Sequence, residues 1–138
     1  MHFARLADHP DVRLISLQKG HGVEQLEQVK ERFEVEELGN NFDETSGAFL
    51  DSVAVMQNLD LFITSDTAIA HLAGGLGIRV WVALPMIPDW RWQLDREDSP
   101  WYPTMRLFRQ RRQGDWDDVF SRMSSALGKV IHPTRVEQ

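Results

Sequence analysis

The sequence predicts an α/β protein, a three-layer, Rossmann-like parallel sheet of about five strands with helices on both faces. Three observations carry that prediction. Short strand-like runs near residues 12–18, 34–38, 60–65, 79–84 and 104–109 alternate with segments of helical spacing. The run Leu61-Phe62-Ile63 is apolar without alternation, as expected of a strand covered on both faces. A polar corner, Ser65-Asp66-Thr67, then leads straight into a small-residue helix over 67–76, the strand–turn–helix order of a parallel sheet.

Each element has its own justification. Residues 1–8 form a fragment of amphipathic helix with Phe3, Leu6 and Ala7 on one side, broken by His9-Pro10-Asp11. The first strand follows and ends in the polar turn Lys19-Gly20-His21-Gly22. Val23, Leu26, Val29 and Phe33 recur at near-helical spacing between acidic and basic residues. A second short strand precedes the loop from Gly39 to Glu44, and the next helix is expected to be capped near Asp51-Ser52. After the third strand and its helix, Gly77 can adopt the left-handed conformation that ends helices. Arg79 to Leu84 makes the fourth strand, stopped by Pro85. Residues 86–103 are rich in proline and tryptophan and irregular, with one helical turn around Trp90 to Leu94. The fifth strand and a basic turn lead to Asp115, a cap for a last helix whose apolar stripe is Trp116, Val119, Phe120, Met123 and Leu127. One domain is expected over 1–132, with a loose tail at 133–138.

Composition narrows the function classes. The 138 residues suit one domain able to bury roughly two-thirds of its unfolded surface. A net charge of −6 argues against nucleic acid as a partner, because phosphate-backbone binding needs clustered cations. The charge is uneven: nine acids and two bases lie between Glu24 and Asp51, but six arginines and three acids between Arg91 and Arg112. The second stretch reads either as a solvated surface or as an arginine-lined rim for an anion. With no cysteine there is no disulfide framework and no thiolate chemistry. The five histidines lack metal-ligand spacing, so neither metal nor cofactor is expected. No secretory or membrane-spanning run is visible, and a cytoplasmic setting is expected.

The corner at 65–71 is the candidate site. Asp66 is a suitable N-cap, and a helix starting at a strand's C-terminal end aims free N–H groups and a positive dipole end into the crevice there. His71 lies one turn beyond Thr67 on the same face and can point at the same ligand, although a histidine on a small-residue helix is more often a packed, hydrogen-bonded one. Among the tryptophans, Trp81 reads as core. Trp90 and Trp101 could serve as core filler or as an aromatic wall against a ligand. Arg91 and Arg96 divide in the same way between contacts to an anion and surface ion pairs.

The text from Asn58 through Ser65-Asp66-Thr67-Ala68 and His71-Leu72-Ala73-Gly74, with Pro88-Asp89-Trp90-Arg91-Trp92 and Ser99-Pro100-Trp101-Tyr102-Pro103, resembles a known group. It is similar to the C-terminal part of glycosyltransferase family 9 (heptosyltransferase-like) domains, particularly those fused behind tetratricopeptide repeats. Ser16 to Gly20, Arg106 to Gln110 and Gly114-Asp115-Trp116 extend the likeness over nearly the whole chain. The resemblance implies a metal-independent GT-B enzyme whose C-terminal domain holds a nucleotide-diphosphate sugar. Asp66, Thr67 and Ala68 would then lie at the diphosphate, with His71 supporting the leaving group and Lys19 adding a phosphate or ribose contact. Trp90 and Arg91 would complete the donor site. Ala68 departs from the family, which usually has glycine there.

The resemblance also implies a missing part. Met1 falls in the helix after the family's first central strand, and the acceptor domain that normally supplies the general base would precede that. The strand near Val12 should then pair directly with the one near Asp60, giving the order 2-1-3-4-5 in chain numbering. The expected function is the donor-binding half of a glycosyltransferase, inactive without an acceptor domain and with no catalytic base of its own. The alternative is a non-catalytic interaction or oligomerisation module of the same fold, with a partner chain or a second copy filling the missing half.

Overall fold

A computed structural model describes residues 2–39, 41–45 and 47–133. The expected tail lies outside the described residues from 134 onward. In chain order the elements are α1 (Ala4–Ala7), β1 (Ile15–Ser16), α2 (Glu24–Val29), β2 (Glu36–Glu37), α3 (Leu50–Met56), β3 (Phe62–Ser65), α4 (Ala68–Gly75), β4 (Val80–Leu84), a 3-10 turn (Trp90–Trp92), β5 (Met105–Arg109) and α5 (Trp116–Ile131). The α/β alternation and the parallel strands of the sequence reading are present. The chain divides into two compact units, Met1–Asn40 with Trp116–Gln138, and Asn41–Asp115.

The strands form two sheets instead of the expected single one. β1 pairs with β2 in parallel, and β3-β4-β5 form a second parallel sheet. Among the described residues no ladder joins β1 to β3, so the order 2-1-3-4-5 is not realised as one sheet. The residues explain why the first pair stays small. Glu36 and Glu37 make up β2, and both β1 residues are only half-buried. A carboxylate-rich strand cannot be covered on both faces as a central parallel strand must be. Glu36 instead accepts a 2.8 Å hydrogen bond from Arg13 at the surface.

In the first unit, the stripe on α5 behaves as its spacing requires. Val119, Phe120, Met123 and Leu127 are buried, each contributing about 2 kcal/mol by leaving water, whereas Trp116 stays half-exposed. Phe3 meets Phe120 edge-on at 4.9 Å, and Leu6 of α1 is fully buried. His9 fixes the turn after α1 by approaching the carbonyl and hydroxyl of Ser124 at 3.1 and 3.0 Å. It also lies close over Gly128, where a Cβ would meet its ring at 3.3 Å.

The second unit is built on β4, whose five residues Val80 to Leu84 are all buried between β3 and β5. Trp81 is core as expected, packed against Phe108 of β5 with ring centroids 5.0 Å apart. The connection from β4 to β5 carries no α-helix. It folds back so that Glu97 accepts a 2.7 Å backbone bond from Leu107, and Asp98 bridges Arg106 antiparallel. That return covers part of the outer edge of β5.

The start of α3 corrects the expectation of a cap near Asp51-Ser52. Phe49 occupies the cap position in a left-handed conformation, φ 66°, with no side-chain cap bond. Asp43, itself at φ 53°, does the capping from a distance. Its carboxylate accepts from the Asp51 and Ser52 N–H groups at 2.8 and 3.1 Å and from the buried Ser52 hydroxyl. Asp51 reciprocates by accepting from the Asp43 N–H at 2.7 Å. Asp43→Ala should therefore lower unfolding stability by about 1–3 kcal/mol, since it removes a cap and strands a buried hydroxyl. Denaturant titration measures this; a change within about 0.5 kcal/mol, the range of ordinary surface substitutions, would show that the cap is dispensable.

Candidate functional site

The candidate site lies in the second unit, where β3 ends and α4 begins. Ser65 closes β3, and the chain stays extended through Thr67 (φ −144°, ψ 165°) before turning helical at Ala68. Thr67, not Asp66, therefore occupies the N-cap position, and no side chain caps the helix. The Thr67 hydroxyl points backward instead, 3.3 Å from the Thr64 hydroxyl and 3.4 Å from the Ser65 carbonyl. Asp66 reaches sideways, with Oδ1 4.0 Å from Nε2 of His71. Ala70 N–H donates back to the Thr67 carbonyl at 3.0 Å, no side chain caps the N–H groups before it, and residues 66–68 are exposed.

The far end of α4 fulfils the expectation for Gly77, which takes φ 71°. Ile78 N–H donates to Ala73 at 3.1 Å and Gly77 N–H to Gly74 at 3.1 Å, the paired bonds of a Schellman closure. Gly74 has a different use. A Cβ there would meet Cγ of Tyr102 at 2.6 Å and Cε of Met105 at 2.9 Å, so only glycine lets Tyr102 approach the helix.

Tyr102 in turn fixes His71. Its hydroxyl lies 3.1 Å from His71 Nδ1, and the imidazole stacks on Trp92 with centroids 4.9 Å apart at 20°. A Tyr102 hydroxyl that donates to Nδ1 leaves Nε2, on the side of Asp66, as the donor of the ring. His71 is one-third exposed (32%), so it is packed and open at once. Trp92 is fully buried, its carbonyl accepts from Arg109 at 3.2 Å, and its indole N–H has no partner among the described residues. Burial, opposed by the charge of Asp95, holds the Arg109 guanidinium below its ordinary pKa.

The tryptophan loop is held by specific bonds. Asp89 accepts from Arg91 N–H at 3.0 Å and pairs with its guanidinium at 2.8 Å, opening the 3-10 turn. Arg91 also lies over the Trp90 ring, 5.0 Å from its centroid. Ser99, buried, accepts from the N–H groups of Trp101 and Tyr102 at 3.2 and 3.3 Å. Arg96 takes the ion-pair role, binding Asp98 through two 2.8 Å contacts.

Asp66, Thr67, Ala68 and His71 are thus brought together, and the turn bearing Trp90 and Arg91 is tied to them through Trp92. Lys19 belongs to the first unit, exposed in the turn after β1. Sequence reasoning missed Tyr102, Trp92 and Ser99 as supports of His71. The adjacent signals were an unexplained Gly-Gly inside a helix and a Trp-Tyr pair inside a loop. Among the described residues, no group of three or more potential metal ligands occurs, and no helix is long and apolar enough to cross a membrane.

The fold and corner define an α/β protein with parallel strands and an uncapped helix start at a strand's C-terminal end. The chain is 32% identical over 123 residues to the protein FlbA of Caulobacter vibrioides, an alignment covering 86% of this chain and 20% of that protein. It therefore spans about a fifth of the length of that curated relative. No family model matches the chain, and no solved structure matches it.

Two measurements test the site's construction. Tyr102→Phe should cost about 1 kcal/mol of unfolding stability, the net worth of one hydrogen bond, and should shift the ring NMR signals of His71. Unmoved His71 ring signals would mean that Tyr102 does not orient it. The second concerns acid. Hydrogen bonding from the Arg91 N–H, then the hydrogen bond and charge of its guanidinium, hold the Asp89 carboxyl below its ordinary 3.8. The turn's stabilisation is therefore complete above that value and is lost as pH falls through the lower folded-state pKa. Indole NMR signals of Trp90 should shift in that acid window in the wild type and not in Asp89→Asn.

Proposed function

We propose that this chain is the donor-binding part of a glycosyltransferase, holding the diphosphate of a nucleotide sugar at the N-terminus of α4. The observation that carries the reading is the combination of an uncapped helix start with His71 held against it by Tyr102 and Trp92. Free N–H groups at a helix start bind anions through directed hydrogen bonds and the helix dipole. A histidine on the same face adds a donor where charge develops on a departing diphosphate, and fixed donors of that kind are what such a step needs. The guanidinium of Arg91 stands on the adjoining turn. The resemblance to glycosyltransferase family 9 domains runs through these same residues and supports the reading from a second side.

A second reading is favoured by one feature. β3 pairs only with β4 among the described residues, leaving its other edge without a ladder. An open parallel edge suits an interaction or oligomerisation module, in which a partner strand would add to β3.

Titration calorimetry with UDP, ADP and GDP compounds separates the two readings. Weak binding with shifts of the Thr67 and Ala68 amide signals supports donor binding; no heat and no shift at millimolar ligand rejects it. His71→Ala should weaken diphosphate binding and, because the ring is stacked and bonded, also lower stability by about 1–2 kcal/mol. The chain alone should transfer no sugar, because hydroxyl attack needs a positioned acceptor and a base within hydrogen-bond reach. Robust transfer by the purified chain, abolished by His71→Ala, would overturn that expectation.

A further inference from the structure

The sheet of the second unit treats its two edges differently. The outer edge of β5 is partly closed by the chain's own return, through Leu107 N–H to the Glu97 carbonyl at 2.7 Å and the bridge from Asp98 to Arg106. The other edge, along β3, carries no ladder among the described residues. Phe62 N–H donates to the Arg79 carbonyl at 2.9 Å, so Phe62 and Thr64 turn their peptide groups toward β4. Leu61, Ile63 and Ser65 therefore turn theirs outward. Leu61 and Ile63 are only half-buried, whereas β4 is buried along its whole length. Neither proline nor lysine interrupts the run from 61 to 65, and its register with β4 is continuous, so the usual devices that blunt an edge are absent there.

The first unit carries an edge that matches. Glu36 N–H donates to the Leu14 carbonyl at 2.9 Å, which turns Leu14 and Ser16 toward β2 and leaves Arg13, Ile15 and Leu17 facing the other way. That side of β1 also has no ladder among the described residues, and a two-stranded sheet on its own is marginal. The charges at the ends complement each other. Asp60 and Asp66 bracket the run 61–65, and Arg13 and Lys19 bracket the run 14–18, each pair six residues apart and all four exposed.

We propose that the open edge of β3 is an interface for a second copy of this chain, whose β1 segment adds to it in parallel and extends the sheet. The inference rests on the interaction-module reading above and names its partner. Asp60 beside Arg13 and Asp66 beside Lys19 select one register, and the peptide directions permit it. Ile63 then falls beside Ser16, between the outward groups of Ile15 and Leu17, as a parallel ladder requires. The same register sets Leu61 beside Leu14 and Phe62 beside Ile15, apolar on apolar. Two copies of β3 are poor partners for each other, because antiparallel pairing about Ile63 puts Asp60 opposite Asp66 at both ends. Arg13 already pairs with Glu36, but its side chain is 76% exposed and its guanidinium can serve both carboxylates. When two copies exchange these contacts mutually, the interface closes as a dimer.

The test is sedimentation velocity of the purified chain from micromolar to near-millimolar concentration, where a concentration-dependent dimer is expected. Asp60→Arg and Arg13→Asp should each weaken it about tenfold, because an opposite-charge pair becomes like-charged at two symmetric places. The chain carrying both substitutions should recover the dimer, a rescue that a merely destabilised fold would not give. Ile63→Pro removes an outward N–H without touching the ladder to β4, and should abolish the dimer while leaving the circular dichroism unchanged. A chain that stays monomeric throughout overturns the proposal. Self-association that ignores both Ile63→Pro and the charge exchange overturns it too, because another surface is then in use. A synthetic peptide of residues 13–19 separates the two failures. If it shifts the Leu61, Ile63 and Ser65 amide signals of a monomeric chain, the edge takes a strand from another source and the interaction-module reading stands without the second copy. If it shifts none of them, that reading fails as well.

Discussion

The close approach of Tyr102 to Gly74 is the contact on which the second unit's candidate site depends. With a Cβ at Gly74 barred by the ring at 2.6 Å, the tyrosine packs closely on α4 and its hydroxyl reaches Nδ1 of His71, one turn nearer the helix start. From there the consequences are successive. His71 is oriented, Trp92 stacks beneath it, and the Trp92 carbonyl is left to accept from Arg109 at the end of β5. A glycine in a helix interior costs about 0.5–1 kcal/mol relative to alanine. Here that cost is offset by a hydrogen bond and an aromatic contact that no larger residue would permit.

Parts of this were legible in the sequence because their causes are local. Val80 to Leu84 is an unbroken apolar run, and only a strand covered on both sides uses one, so β4 is both placed and central. The α5 stripe is similarly self-announcing. β1 and β2 illustrate the opposite case: apolar residues flank them, but Glu36 and Glu37 limit how deeply the pair can be buried, and the ladder is two residues long. Asp66 and Thr67 are both competent caps, and the choice between them depends on which residue adopts the extended dihedrals before the helix. Composition does not encode that choice.

The supports of the site were illegible for a different reason. Tyr102 bonds a residue 31 positions away, and Asp43 caps a helix from eight and nine positions upstream of the N–H groups it accepts from. Neither interaction has a periodicity. Both were hidden behind residue types that have ready local explanations, a tyrosine in a proline-rich loop and an aspartate in a turn. The strained positions of the tryptophan loop share this character. Gln93 and Asp95 adopt φ 53° and 59°, a conformation that non-glycine residues hold only when the surroundings over-determine it. Arg96, bound to the Asp98 carboxylate and to the Gln93 side chain, ties residue 93 to the loop.

Charge balance sets the terms on which the corner can hold an anion. Asp66 already brings a carboxylate to the start of α4, and two like charges about 4 Å apart repel by about 4 kcal/mol at an effective dielectric of 20. The helix dipole returns only about 0.3–1 kcal/mol at an exposed terminus. A bare helix start would therefore lose that contest. On the proposed reading, a diphosphate would have to be held by directed bonds from the Thr67 and Ala68 N–H groups, the Nε2 side of His71 and the guanidinium of Arg91 on the adjoining turn. Thus the proposed site depends less on the helix than on the loop packed against it. The residues from Asp89 to Tyr102 fix the imidazole and carry the guanidinium of Arg91, and without them the strand–turn–helix corner would be an ordinary connection in an α/β fold.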